Sequence, residues 1–290
     1  MPLVPTLELL HTAAARRTGL AAFNVILLET AEALVGAAER TGRPVVLQIS
    51  QNCVRYHGGL DPIGRATLAL ANDSPAHVAV HLDHAEDPEL ALHAVDLGFG
   101  SVMYDGSRLG YEENVEATVR VVEYAHAREV AVEAELGEIG GKDGAHAPGV
   151  RTDPEEARRF VTETGVDALA VAVGSSHAMT ERTAELDLSL VELLRREVPV
   201  PLVLHGSSGV ADGTIEAAVR SGITKVNVST HLNRFFTDAV RSHLAAHPDT
   251  VDPRAYVREA RAAATGEAAR LMTLFDVAAR AAGGTETAQR

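Results

Sequence analysis

His81-Leu82-Asp83-His84 sets imidazoles beside a carboxylate, the side-chain types from which metal sites and acid–base pairs are built. Two further histidines stand in comparable settings, His177 in Gly-Ser-Ser-His and His205 in Val-Leu-His-Gly-Ser-Ser-Gly. His84, His177 and His205 each lie at the end of a short apolar run. Gathered from three such ends, with Asp83 beside them, they would form an open metal site, since catalytic zinc commonly takes three protein ligands and keeps one position for water or substrate. Any one of the 13 histidines in the chain is more often a surface or hydrogen-bonded group than a ligand. The shared position at run ends is what favours the metal here. The spacing is too wide for a zinc finger, and the single cysteine, Cys53, excludes a thiolate cage.

The elements that must position these groups are eight short apolar runs, at residues 20–25, 44–50, 78–83, 100–105, 130–136, 168–173, 201–205 and 223–229. They are continuous rather than alternating, as in parallel strands buried on both faces. Helical spacing lies between them: Ala33, Leu34, Ala37 and Ala38 share one face of residues 30–41, and Val115, Val119, Val122 and Tyr124–Ala125 recur at such spacing in residues 114–128. Gly42, Gly98, Gly165 and Gly222 supply helix stops. Eight strand–helix units without a linker predict an α/β fold, a (β/α)8 TIM barrel with extra C-terminal helices. Residues 1–290 would form one domain, with a frayed tail from about 279 to 290. Barrel active sites gather at the C-terminal strand ends, and every run here ends in polar groups: Asn24, Gln48 and Ser50, Asp83 and His84, Asp105, Glu135, His177, His205, Asn227 and Ser229.

Composition narrows the partners. A net charge of −14 argues against nucleic acid or an anionic membrane as a binding surface. One cysteine allows no intrachain disulfide, and no signal-like or membrane-length apolar run is present, so a cytoplasmic protein is expected.

These motifs resemble those of the class II, zinc-dependent ketose-bisphosphate aldolases, the fructose- and tagatose-bisphosphate group. The resemblance runs nearly end to end, through Ala-Phe-Asn-Val (22–25), His-Leu-Asp-His (81–84), Ser-Val-Met-Tyr-Asp-Gly-Ser (101–107), Val-Glu-Ala-Glu-Leu-Gly (132–137), Leu-His-Gly-Ser-Ser-Gly (204–209), Lys-Val-Asn-Val-Ser-Thr (225–230) and Asp-Pro-Arg-Ala-Tyr (252–256). It implies reversible cleavage of a ketose (bis)phosphate to dihydroxyacetone phosphate and an aldehyde. His84, His177 and His205 would hold the zinc, and Asp105 and Glu135 would line an alternative, buried metal position. Asp83 would be the acid/base at the aldehyde oxygen. Gly206, Ser208, Asn227, Ser229 and Thr230 would bind the triose phosphate, Asn24 and Ser50 would contact substrate, and Arg254 would reach the distal phosphate. A monovalent cation is a candidate second ion. A homodimer or homotetramer is also implied, with the apolar face of Leu271, Leu274, Phe275 and Val277 packing either on a partner subunit or on its own barrel. Asp83 and His84, as strand neighbours, are expected to point to opposite sides.

The sequence departs from the family in places. The family's Gly-Gly-x-Glu-Asp loop reads Gly-Gly-Lys-Asp-Gly (140–144), so either Asp143, His146 or Glu138 abstracts the substrate proton or that transfer is impaired. Ile26-Leu27 replaces Asn-Asn, Ala178 replaces Gly, and Ser229 stands where fructose-specific members often carry Asp. These changes point to a paralogue with an altered substrate; a non-catalytic sugar-phosphate binder is the non-enzyme alternative, against which the intact zinc and acid/base set argues. A Schiff-base aldolase needs a buried strand lysine; the two lysines are Lys142, in a loop, and Lys225, read as starting a strand away from the reactive face. Ser176 in Gly-Ser-Ser-His-Ala only approximates a nucleophile elbow.

Overall fold

The computed structural model describes residues 3–136, 151–176, 179 and 181–277. All eight apolar runs are strands: β1 (Leu20–Asn24), β2 (Val45–Ser50), β3 (Val78–Ala85), β4 (Ser101–Tyr104), β5 (Ala131–Glu135), β6 (Ala168–Ala170), β7 (Leu202–Leu204) and β8 (Ile223–Val228). They pair in parallel in chain order, and β8 returns to β1 to close the barrel. The helices are α1 (Thr6–Arg16), α2 (Leu28–Thr41), α3 (Gln51–His57), α4 (Asp61–Asp73), α5 (Pro88–Leu97) and α6 (Tyr111–His126). They continue with α7 (Pro154–Thr164), α8 (Leu188–Glu197), α9 (Asp212–Ser221), α10 (Thr230–Ala246) and α11 (Pro253–Phe275). Gly42, Gly98, Gly165 and Gly222 cap the C-termini of α2, α5, α7 and α9.

Strand parity divides the apolar residues into two cores. Phe23, Leu47, Val80, Leu82, Val132, Ala134, Val226 and Val228 face the helices in the larger one. Ala22, Val46, Ala79, Met103, Ala168, Ala170 and Val203 face the barrel axis, where Leu9, Leu10 and Ala13 of α1 join them and plug the N-terminal end. Two residues further along the same inward faces the side chains turn polar. Gln48, His81, Asp83, Glu133, Glu135, His205, Lys225 and Asn227 are all buried there, so the upper half of the barrel is packed with groups that must satisfy one another.

On α6 the buried stripe runs through Asn114, Thr118, Val121, Val122 and Ala125, displaced by one residue from the stripe beginning at Val115. Asn114 turns inward because its amide donates to the Glu135 carbonyl (3.3 Å) while Thr118 donates to Asn114 Oδ1 (3.0 Å). A polar clamp on the end of β5 thus overrides the apolar periodicity. The α11 face is covered by its own barrel: Leu271, Leu274, Phe275 and Val277 are buried, and Gly19 N and Thr18 Oγ1 both donate to the Phe275 carbonyl. This face therefore serves no second subunit. The tail from 279 lies outside the described residues. Among the described residues no helix is long and apolar enough to cross a membrane.

Candidate active site and metal centre

The pairing of β3 with β4 shifts register between Leu82 and Ala85, and His84 takes a φ of +50°. Strand alternation would send His84 to the face opposite Asp83. The left-handed residue at the bulge instead turns it back, and Asp83, His84 and His205 present ligand atoms within 4.8 Å of one another. The expectation that Asp83 and His84 diverge is corrected: they converge because the strand is broken between them.

Each of the two rings is held by a carboxylate. His84 Nδ1 donates to Asp105 Oδ2 (2.7 Å), with Glu135 Oε2 at 3.7 Å. His205 Nε2 donates to Glu133 Oε1 (2.9 Å). Asp105 is fixed in turn by Ser107, whose hydroxyl donates to Oδ1 (2.6 Å). The nitrogens left over, His84 Nε2 and His205 Nδ1, face each other at 2.8 Å. With the other nitrogen of each ring donating to a carboxylate, the facing pair can be bridged either by a proton, as an N–H···N hydrogen bond, or by a metal cation that takes both lone pairs. Carboxylate–histidine pairs that orient ligand rings in this way are the usual outer shell of a metal site. The donor set fits a divalent transition metal. His84, Asp105 and Glu135 form a second, deeper group of ligand atoms within the same limit. His177 and Asp143 lie outside the described residues.

Asp83 is 4% exposed, and Asn24 Nδ2 donates to its Oδ2 (2.9 Å), while its buried Oδ1 has no hydrogen-bond partner among the described residues. Burial alone would raise its pKa. The neighbouring His84 and His205, with Lys225 behind them, outweigh burial and bring it down to about 2. Asp83 is therefore a carboxylate with one free oxygen, the form that accepts a proton. His81, one turn of the alternation below, is driven well below the ordinary histidine range by burial and by the Lys225 cation.

The other expected site residues are distributed around this centre. Ser50 Oγ accepts from Cys53 N (3.2 Å) and caps α3. Gly206 has a φ of +67°, and a Cβ there would lie 2.7 Å from the Ser176 carbonyl, so only glycine lets the segment before His177 pack on the end of β7. Ser175 Oγ donates to the His205 carbonyl (2.6 Å) and tightens the same contact. Ser208 Oγ accepts from Ser229 N (3.3 Å) and His231 N (3.2 Å), capping α10 from outside, with Thr230 its first residue. Asn227 Nδ2 lies 3.0 Å from His205 Nε2. Arg254 stands apart from this cluster: its side chain is 85% exposed and pairs with Asp252 at the start of α11.

Beneath Ser208 a chain of charges ties three helices together. Arg182 bonds Asp212 (2.5 Å), Asp212 bonds Arg270 (2.6 Å), Arg270 bonds Glu267 (2.7 Å), and Glu267 accepts from His231 Nε2 (2.6 Å). Burial would raise the Glu267 carboxyl, but Arg270 and His231 hold it down at about 2.

Sequence reasoning passed over Glu133 and misplaced Lys225. Lys225 is fully buried in the barrel, its Nζ 2.7 Å from Glu133 Oε2. Parity carried the signal: Lys225 is two residues before Asn227 and Glu133 two before Glu135, so each shares the inward face of a residue already assigned to the site.

A family profile described as "Fructose-bisphosphate aldolase class-II" matches residues 4–280. The chain belongs to the class II fructose-bisphosphate aldolase family. It is 40% identical over 265 residues to a fructose-bisphosphate aldolase of Geobacillus stearothermophilus, covering 90% of this chain and 92% of that one. It is 38% identical over 260 residues to a 6-phospho-5-dehydro-2-deoxy-D-gluconate aldolase of Bacillus licheniformis, covering 89% of each. The crystal structure of the YdjI aldolase from Escherichia coli K12 superposes with a TM-score of 0.84 at 29% identity, over 96% of this chain and 99% of that one. As a class II aldolase the protein is an aldehyde-lyase of carbohydrate metabolism, built on the barrel that the eight strand–helix units predict.

Proposed function

We propose that this class II aldolase is zinc-dependent and cleaves a ketose phosphate into dihydroxyacetone phosphate and an aldehyde. The observation that carries the proposal is the convergence of His84 Nε2 and His205 Nδ1 beside the free oxygen of Asp83. His84 and His205 would hold the zinc together with His177, the ligand that the family resemblance implies. Zinc bound there supplies the Lewis acidity that stabilises negative charge on the ketone and enediolate oxygens.

The protein groups divide the remaining tasks. In cleavage, Asp83 Oδ1 takes the proton of the hydroxyl that becomes the aldehyde, and in synthesis returns it. Asn24, by occupying Oδ2, leaves only Oδ1 for this transfer. Gly206, Ser208, Asn227, Ser229 and Thr230 cradle the triose phosphate near the N-terminus of α10, where backbone N–H groups favour an anion. Ser50 contacts the substrate and Arg254 the distal phosphate. Asp143 is assigned the removal of the dihydroxyacetone phosphate proton, with His146 and Glu138 as competitors. Exchange of that proton with solvent deuterium in Asp143→Ala and His146→Ala separates them.

Fructose 1,6-bisphosphate and 6-phospho-5-dehydro-2-deoxygluconate share the same three-carbon ketone phosphate half, so relatives acting on either differ in the aldehyde they release. Ser229, in place of the Asp of fructose-specific sequences, favours tagatose 1,6-bisphosphate or another ketose phosphate. Retro-aldol assays of the zinc-supplied protein on these three compounds should release dihydroxyacetone phosphate from at least one. Release from none contradicts the proposal. A homodimer or homotetramer, without the apolar face of α11 as its interface, completes the picture, and a monomeric mass by light scattering contradicts it.

A further inference from the structure

Lys225 and Glu133 form an ion pair sealed inside the barrel, directly beneath His205. Lys225 is 0% exposed and Glu133 3%. Lys225 Nζ donates to Glu133 Oε2 (2.7 Å) and His205 Nε2 meets Glu133 Oε1 (2.9 Å). The pair comes from β8 and β5, which are three strands apart in the barrel, so it crosses part of the interior and ties together two strands that do not pair. Burying two charges is costly and gives little net stability over an apolar pair of the same volume. The barrel axis below is filled by Ala, Val and Met, and a pair of that kind could fill this volume as well. A role beyond packing is indicated.

The direction of the hydrogens supplies one. An ammonium only donates, and in an ammonium–carboxylate pair both oxygens only accept. His205 Nε2 must then carry the hydrogen, which in the neutral ring leaves the lone pair on Nδ1, the atom that faces His84 Nε2. Asn227 Nδ2 also approaches Nε2 at 3.0 Å, and Asn227 Oδ1 is buried without a partner among the described residues. Turning that amide over lets Oδ1 accept a second, weaker share of the same Nε2–H. His81, the other ring in the layer, is engaged differently: its Nδ1 donates to Ser101 Oγ (2.7 Å), which donates to Thr6 (2.8 Å).

We propose that Lys225, acting through Glu133, is a positioning residue that fixes His205 in the Nε2–H tautomer and aims the Nδ1 lone pair at the metal centre. The metal half of this statement rests on the zinc proposal above; the tautomer half does not. A lysine at this depth is out of reach of substrate, which also removes it as a Schiff-base nucleophile.

The test uses metal-free full-length protein labelled with 15N-histidine, the His205 signals being assigned by their loss in His205→Gln. Wild type should give the Nε2–H pattern. In Lys225→Met the pattern should shift toward a mixture of tautomers, and zinc affinity, read by competition with a chromophoric chelator, should fall about 10–100-fold, the range for loss of an outer-shell partner. Because Lys225→Met strands a buried carboxylate, Lys225→Met/Glu133→Gln provides a neutral, near-isosteric pair. It should fold normally yet keep mixed tautomers and weakened zinc binding. An Nδ1–H pattern in wild type, or full recovery of tautomer and affinity in the double variant, overturns the proposal and makes the pair purely structural. Absence of zinc uptake by wild type would defeat the zinc proposal alone, with the tautomer comparison still deciding the role of Lys225.

Discussion

His84 Nε2 and His205 Nδ1 lie 2.8 Å apart although each ring gives its other nitrogen to a carboxylate, Asp105 or Glu133. The two nitrogens are held at a separation that a metal cation or a shared proton can bridge. Asp105→Ala removes the group that orients His84 and should weaken zinc binding by about 10–100-fold without abolishing it. Chelator competition measures this, and unchanged affinity would show that His84 needs no such support.

Asp83 is assigned to proton transfer rather than to metal. Asp83→Ala should retain zinc in elemental analysis while turnover falls by roughly 10²–10⁴. Loss of zinc together with activity would make the carboxylate a ligand.

Much of this arrangement is legible in the residues alone. Eight continuous apolar runs with polar ends become the eight strands and their site-facing tips. What the sequence conceals are two relationships across distance. The inward turn of His84 depends on a bulge at a non-glycine residue, and nothing in His-Leu-Asp-His marks a φ of +50°. The Lys225–Glu133 pair joins residues 92 positions apart: parity with Asn227 and Glu135 marks each as inward, but nothing in the sequence says that the two meet. Asn114 on α6 is a third case, since its pull on the β5 carbonyl outweighs the apolar stripe.

Gly206 lets the segment before His177 lie on the end of β7, and any Cβ there meets the Ser176 backbone at 2.7 Å. Gly206→Ala should lower stability by more than the ~1–2 kcal/mol of a left-handed alanine and reduce zinc content. Gly213→Ala, where a Cβ meets nothing within 4 Å, is the control and should be neutral or stabilising. Denaturant midpoints for the two variants give the comparison; equal effects would remove the steric argument.

Glu267 sits at about 2 instead of 4.5, held by Arg270 and His231 against the effect of burial. A carboxyl depressed on folding stabilises the fold above its unfolded value and loses that contribution as pH falls through the folded one. Glu267→Gln should therefore be less stable than wild type at neutral pH, with the gap in urea midpoint closing as pH drops from about 4.5 toward 2. A gap independent of pH would place the effect in packing rather than charge.

The most direct test of the zinc-dependent aldolase account reads metal content and cleavage in one sample. Zinc per subunit and the rate of dihydroxyacetone phosphate release are measured on the protein as purified, after chelation, and after zinc is restored. The account predicts about one catalytic zinc per subunit, a rate that falls with the metal and returns with it, and neither metal nor rate in His205→Ala. Full cleavage by the chelated protein, or full zinc content in His205→Ala, would contradict it.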